Sequence, residues 1–411
     1  MKILTKIGVL ILAMIVMKSC SSDETPQPDP IPVISKEDVV KNYVNMVYQN
    51  YKDSYDATLA LQTAVLSFTD APSEAGFNQM KTLWLQAREF YGQTEVFRGS
   101  DGPVDNEGEE AWTIGNEGQM NAWPLNEAYI DYVALKTSYT GTYDVSILSG
   151  TDPITKELIA NLNEANDDEK AVSTGWHAIE FLIWGQDNTN PADKLAGLRE
   201  YTDYTTADNA ERRKDYLEVA TALLIDDLKD LVDTWATGGE YYNVFMAMDT
   251  NEALTKALKG PTFLASFELS NERLLGPAVS SDGIDESGQE DEHSCFSDNT
   301  HRDVYTNALG IINVLKGEYG NIEGPSPLDL ITEADPAQGA KLLEEMNKMM
   351  DAVEAIDAEA KSGTPFDLMI LEEGENNPGI VLAADQALKD LADVIIESAE
   401  VIGVTLTRTT S

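Results

Sequence analysis

The sequence is poor in cysteine, histidine and basic residues. Its 411 residues include two cysteines and three histidines, and 28 Lys and Arg stand against 72 Asp and Glu, giving a net charge of −44. Cys295 has only Cys20, near the N-terminus, as a second cysteine, so no internal disulfide is expected. The negative charge disfavours nucleic acid as a partner. With 42% hydrophobic residues, the chain is long enough to be held together by its core.

Familiar catalytic signatures are also missing. The three histidines are followed by Ala178, Ser294 and Arg302, so there is no His-Glu-x-x-His helix of a zinc protease. No Gly-x-Ser-x-Gly elbow and no phosphate loop with its lysine occur. Cys295 lies beside Phe296, which fits a packed thiol as well as a nucleophile paired with a histidine. Enzyme activity is therefore left open.

The N-terminal segment predicts export and lipid anchoring. Residues 1–19 contain an early basic region and an apolar stretch too short to span a bilayer, which is typical of a signal peptide. Cleavage before Cys20 would free its thiol for a lipid. Residues 20–35 carry four prolines, which predicts an extended tether. We expect a protein anchored by lipid to a bacterial membrane, at the periplasmic or surface face of the outer membrane; an ordinary secretory signal, the alternative, also implies export.

The rest of the chain predicts an all-α protein. Apolar residues recur at helical spacing in one segment after another, with little alternation of period two. This spacing predicts helices at about 35–69, 75–97, 123–136, 212–235, 251–275, 300–316, 335–361 and 377–403. Two polar loops, at about 99–118 and 278–298, separate some of these helices. A break near 187–211 divides the chain into a first helical-bundle domain, 36–205, and a second, 206–411.

The first candidate site is the stretch Gly175-Trp-His-Ala-Ile-Glu180 at the start of a strongly apolar helix. On a helix, residues three apart lie on one face, so His177 and Glu180 can converge on one proton or one metal ion. Ser173 and Thr174 offer N-caps. A pair at this spacing is also common as a surface contact or as a satisfied buried histidine.

The second candidate site is the run from Glu290 to Asp303, which holds the other two histidines, His293 and His301, among several carboxylates. Imidazole together with carboxylate suits zinc or iron, whereas sites made of oxygen alone suit calcium or magnesium. Asp298 is a potential ligand, although a residue at this position is more often the N-cap of the following helix.

A third group pairs arginine with glutamate late in two long helices. Glu95 and Arg98 lie in the first half, and Glu268 and Arg273 lie in the second. We interpret most of these residues as ion pairs that join the two halves.

Taken together, these segments resemble the imelysin family. The resemblance rests on Gly175-x-His177-x-x-Glu180, on the run Glu292 to His301, and on the segment from Trp123 to Asp131. It implies two four-helix-bundle-like domains with the Gly-x-His-x-x-Glu site between them, supported by Glu95, Arg98, Trp123, Glu268 and Arg273. It also implies an exported lipoprotein connected with iron uptake, and the family carries a peptidase description.

These features are compatible with three functions. The first is binding of a divalent metal, iron or zinc, or of a small iron-containing ligand, by His177 and Glu180 with His301 and either Asp298 or His293, and its transfer to a membrane transporter. The second is a metallopeptidase in which Glu180 or a nearby carboxylate activates water on zinc. The third is an interaction module that binds no metal.

Overall fold

The computed structural model describes residues 34–105, 117–133, 146–279, 288–371, 373 and 377–409. The predicted signal peptide, Cys20 and nearly all of the tether lie outside the described residues. Within this part of the chain, no helix has both the length and the apolar character needed to cross a membrane.

The described residues confirm the all-α class, with one short antiparallel hairpin formed by β1 (Glu318–Tyr319) and β2 (Ile322–Glu323). The helices are α1 (Lys36–Asp70), α2 (Glu74–Tyr91), α3 (Glu117–Asn121), α4 (Glu127–Ile130), α5 (Lys156–Leu162), α6 (Gly175–Trp184), α7 (Ala210–Trp235), α8 (Glu240–Ala247), α9 (Thr250–Phe263), α10 (Gly276–Val279), α11 (Thr300–Lys316), α12 (Pro327–Ala334), α13 (Pro336–Ser362), α14 (Phe366–Ile370) and α15 (Ile380–Val401).

The helices begin and end where local chemistry predicts. The Ser35 side chain accepts a hydrogen bond from the Asp38 amide at the start of α1, and Ser73 does the same for α2. α13 ends at Gly363, whose positive φ of 104° is the left-handed conformation that glycine tolerates best. These boundaries agree with the sequence periodicity within a few residues.

The long helices pack around an extensive buried core. α1 packs against α2 and α7, and α13 packs against α15. α11 lies between the 3-10 turn Gly92–Phe97 and α13. The described residues from Ile34 onward form one compact unit; the division at residue 205 stays a prediction.

One predicted helix differs from the structure. The sequence favours a helix from Trp123 to Lys136, but α4 ends at Ile130 because Asp131 is extended. The buried Asp131 carboxylate accepts hydrogen bonds from Arg213, at 2.7 and 3.0 Å, and from Arg199 at 2.7 Å. These charged contacts outweigh helix propensity at Asp131, while residues 134–136 of the expected helix lie outside the described residues.

Candidate functional site

The site is built on α6, a helix whose ten residues are all buried. Its first residue, Gly175, has a φ of +78°, and a Cβ there would lie 2.2 Å from the carbonyl oxygen of Met120. Glycine is therefore required for the helix to begin in this position. Thr174 occupies the N-cap position without a side-chain capping bond, since its hydroxyl donates to the Gln119 carbonyl oxygen instead.

His177 and Glu180 contact each other, as their spacing predicts. The His177 Nδ1 lies 2.8 Å from the Glu180 Oε2, and both side chains are fully buried. The other carboxylate oxygen, Oε1, accepts hydrogen bonds from the backbone N–H of Ser297 at 3.0 Å and from its hydroxyl at 2.6 Å. Both Glu180 oxygens are thus engaged, whereas the His177 Nε2 is buried without a hydrogen-bond partner.

Burial controls the protonation of this pair. Removal from water raises the pKa of Glu180 to about 8. Burial, with help from the nearby His293, lowers the pKa of His177 well below its ordinary value. The imidazole is therefore neutral near neutral pH, which is the form that binds metals.

His293 reaches the same place from the loop before α11. Its ring lies 4.6 Å from that of His177, centroid to centroid, in an edge-to-face arrangement. Its Nδ1 lies 2.8 Å from the Asp303 Oδ2, and its Nε2 is buried without a partner. Burial and the Arg273 charge lower the pKa of His293 to about 4.

Asp303 determines which nitrogen of His293 carries the proton. Burial would raise the Asp303 pKa, but Arg88, 3.0 Å away, and His293 hold it well below its usual range. Because the carboxylate is ionised, the His293 Nδ1–H donates to it, and the lone pair is left on Nε2. The structure therefore brings together two histidines, each with one ring nitrogen against a carboxyl group and the other unpartnered.

A cavity of about 880 Å³ opens beside the His293 ring, and the fully buried His177 is not among the described residues that line it. It is lined by His293 and by four of the predicted supporting residues: Arg98, Trp123, Glu268 and Arg273. The Trp123 ring also lies 4.9 Å from the His177 ring. A cavity of this size suits a small organic ligand or a metal chelate.

The wall that carries Glu268 and Arg273 is a π-helical segment, Leu264–Leu275, which continues α9. The cavity-lining residues of this segment fall at 267–268 and 272–273, and residues 276–277, at the start of α10, continue the row. That recurrence every four to five residues matches the wider π-helical turn rather than an α-helix, and single π turns are frequent at functional sites.

The predicted ion pairs connect the first half of the sequence with the π-helical segment in the second half. Arg273 lies 2.6 Å from Glu95 and 3.0 Å from Glu268, and Arg98 lies 2.7 Å from Glu268. Burial would raise the pKa of Glu95, but Arg273 and Arg98 lower it to about 2. Both guanidinium groups are thus paired with carboxylates of the protein.

Two predicted ligands lie elsewhere. The His301 Nδ1 faces the carbonyl oxygen of Asp298 at 3.1 Å. The Asp298 carboxylate lies with those of Glu292 and Asp367. In the described part of the chain, neither side chain forms a hydrogen bond, an ion pair or a ring contact with His177.

Three contributors escape sequence reasoning. Ser297 and Asp303 lie in the run from Glu290 to Asp303, but nothing in their spacing indicates that they form hydrogen bonds with Glu180 and His293. Glu117 lines the cavity, where burial raises its pKa to about 7 despite the nearby Arg98. It lies at the end of the polar loop predicted at about 99–118, where the sequence has no local signal of a role.

Comparison with known proteins identifies the family. The model of the imelysin family, which is described as a peptidase family, matches residues 47–395. The chain belongs to the imelysin family. A curated relative, iron-regulated protein A of Synechococcus elongatus, is 24% identical over 285 residues, covering 66% of this chain and 62% of its own length.

The crystal structure of a Parabacteroides distasonis protein described as an iron-regulated protein A precursor has the same fold. It superimposes with a TM-score of 0.66 over 89% of this imelysin chain and 94% of its own, at 18% identity.

Proposed function

We propose that this imelysin binds a transition-metal ion, iron or zinc, or a small iron-containing ligand in the cavity beside His177 and His293. The observation that carries the proposal is the pair of buried Nε2 atoms without partners on neighbouring rings. A buried nitrogen without a hydrogen bond is costly unless a ligand binds it.

The donor set fits a metal of this class. In protein metal sites, the second nitrogen of a ligating histidine usually bonds to a carboxylate, which fixes the tautomer and the ring orientation. Asp303 does this for His293, and Glu180 would do it for His177 once ionised, so metal binding near neutral pH would release the proton that the raised pKa of Glu180 retains. Glu180 therefore has a positioning role, while the metal would supply a Lewis-acidic centre that accepts the two nitrogen lone pairs.

Two protein nitrogens leave coordination positions for water or for the ligand's own donor atoms. Most ionisable groups that line the cavity are carboxylates, and its arginines are paired with glutamates. The surroundings therefore favour a cationic ligand. The names of the relatives, iron-regulated protein A and its precursor, support a role in iron acquisition by an exported protein. A lipid at Cys20 and transfer of the ligand to a membrane transporter belong to the same proposal.

Calorimetric titration of the mature protein with Zn²⁺ and, without oxygen, with Fe²⁺ tests the proposal. His177→Ala and His293→Ala should each abolish stoichiometric binding. Glu180→Gln should weaken it about 10–100-fold, as expected for a residue that orients a ligand. His301→Ala is the matched control and should bind as the native protein does. Equal affinity in all four variants would overturn the proposal.

Peptide hydrolysis is the second candidate, favoured by the family description and by Glu117. Both oxygens of Glu180 are engaged, so water activation would fall to another carboxylate, and Glu117 lines the cavity with a pKa near the working range of a general base. Chelator-sensitive cleavage of an unfolded polypeptide, lost in Glu117→Gln, would support it. No cleavage above that of His177→Ala would exclude it.

A further inference from the structure

A second cluster of ligand groups lies outside the histidine pair. Oxygen atoms of Glu292, Asp298 and Asp367 all lie within 4.8 Å of one another. Glu292 belongs to the loop before α11, Asp298 follows the turn Cys295–Ser297, and Asp367 lies in the first turn of α14. Segments distant in sequence thus converge their carboxylates on one point.

Glu292 is the observation that points to a ligand. Its side chain is fully buried, and neither carboxylate oxygen has a hydrogen-bond donor in bonding geometry. The nearby Thr300 hydroxyl only moderates the effect of burial. In addition, the Asp298 Oδ1 is buried without a partner. Across the described ranges, no lysine or arginine forms an ion pair with any of the three.

A fourth carboxylate, Asp187, adds to the negative potential at all three residues. Its own oxygens accept hydrogen bonds from the Thr189 amide at 3.0 Å and from Gln289 at 3.1 Å. Like charges brought together away from water must be neutralised by protons or by a cation. The donor atoms are oxygens, which distinguishes this cluster from the nitrogen pair at His177 and His293.

We propose that Glu292, Asp298 and Asp367 form a binding site for a hard divalent cation, with Ca²⁺ as the expected ion. Calcium takes carboxylate, carbonyl and water oxygens in flexible geometry. Bound there, it ties α14 to the loop that carries His293 and Ser297. The ion would therefore stiffen the loop that holds the histidine site without taking part in it.

The test uses the mature protein freed of metal by a chelator, at pH 8.5 and high K⁺ concentration. At this pH the carboxyl groups can ionise, and the salt screens nonspecific binding to the negative surface. Calorimetry with Ca²⁺ should give one site per chain, and saturating Ca²⁺ should raise the unfolding temperature. Asp367→Asn and Glu292→Gln should weaken Ca²⁺ binding at least about tenfold, since ligand charge sets the affinity of such sites.

Two control variants distinguish this cluster from the negative surface and from the histidine pair. Asp193→Asn removes one exposed carboxylate and should leave Ca²⁺ binding unchanged. His177→Ala should also bind Ca²⁺ with native affinity. The Ca²⁺ site can therefore be confirmed even if the metal site at the histidines is not. Absence of stoichiometric Ca²⁺ binding would overturn the inference and assign the cluster to protonated carboxyl groups. Equal weakening in Asp193→Asn and Asp367→Asn would overturn it as well.

Discussion

At the scale of single residues, the site depends on which atoms are left without partners. The motif on α6 predicts that His177 and Glu180 meet, and they do. It does not predict that both Glu180 oxygens are taken by His177 and Ser297. That arrangement depends on a loop more than a hundred residues later, so no local pattern in the sequence encodes it. The unpartnered His293 Nε2 depends equally on Asp303.

Gly175 gives the first prediction. Gly175→Ala should destabilise the protein strongly, because a Cβ meets the Met120 carbonyl oxygen at 2.2 Å and the backbone has positive φ. Gly238→Ala is the matched control, with a φ of +85° and nothing within 4 Å. The control should cost about 1 kcal/mol for its backbone conformation, and Gly175→Ala at least about 2 kcal/mol more. Equal losses in denaturant unfolding would contradict the packing described at α6.

Glu127 gives a prediction about pH. Burial raises its pKa to about 7, while an unfolded glutamate titrates near its ordinary value of 4.5. The folded state therefore binds an extra proton between these values, and the stability it contributes is lost as pH rises through about 7. Glu127→Gln should lose less stability than the native protein between pH 5 and pH 8, by on the order of 1–3 kcal/mol. Denaturant unfolding at both pH values measures the difference.

Glu157→Gln is the control for that experiment, because its carboxylate is exposed in the first turn of α5. Its stability relative to the native protein should be the same at pH 5 and pH 8. A Glu127→Gln variant with the native pH slope would show that Glu127 is already ionised in the folded state.

At the scale of elements, most helices follow from the sequence and the wall of the cavity does not. The apolar spacing predicts α1, α7, α11 and α13 with ends close to those observed. The same spacing predicts one regular helix from about 251 to 275. The structure instead widens into a π-helix at Leu264, where Glu268 and Arg273 turn towards Glu95 and Arg98. Buried ion pairs across the fold override the local period.

Arg273 tests whether these ion pairs hold the π-helical segment in place. Its guanidinium reaches Glu95, Glu268 and Asn307 from one buried position. Lysine keeps the charge but not the planar fork. Arg273→Lys should therefore cost on the order of 2–4 kcal/mol in unfolding experiments. Arg408→Lys, at a more exposed pair with Asp393, should cost less than about 1 kcal/mol.

At the scale of the whole molecule, a cavity whose ionisable lining groups are mostly carboxylates is combined with a predicted membrane tether. Composition predicts an acidic protein without internal disulfides, the spacing of apolar residues predicts a helical one, and the described residues confirm the helical class. The sequence alone does not show which of the three histidines lie together, because each lies at or near a predicted helix start. The fold places two of them together and the third against the Asp298 carbonyl oxygen.

The predicted lipid anchor is tested by substituting each of the two cysteines separately. Cys20→Ser should release the protein from the membrane fraction and abolish incorporation of a labelled fatty acid. Cys295→Ser should leave both unchanged, because this thiol is buried in the fold. Membrane association retained in Cys20→Ser would contradict lipid anchoring and leave only export by a signal peptide.

X-ray absorption spectroscopy of the zinc- or iron-loaded protein tests the central claim most directly. We predict two imidazole nitrogens in the coordination shell at about 2.0–2.2 Å, no protein-bound metal above background in His293→Ala, and no change in His301→Ala. A shell of oxygens alone, unaltered by His177→Ala and His293→Ala, would contradict the claim that these histidines bind the metal.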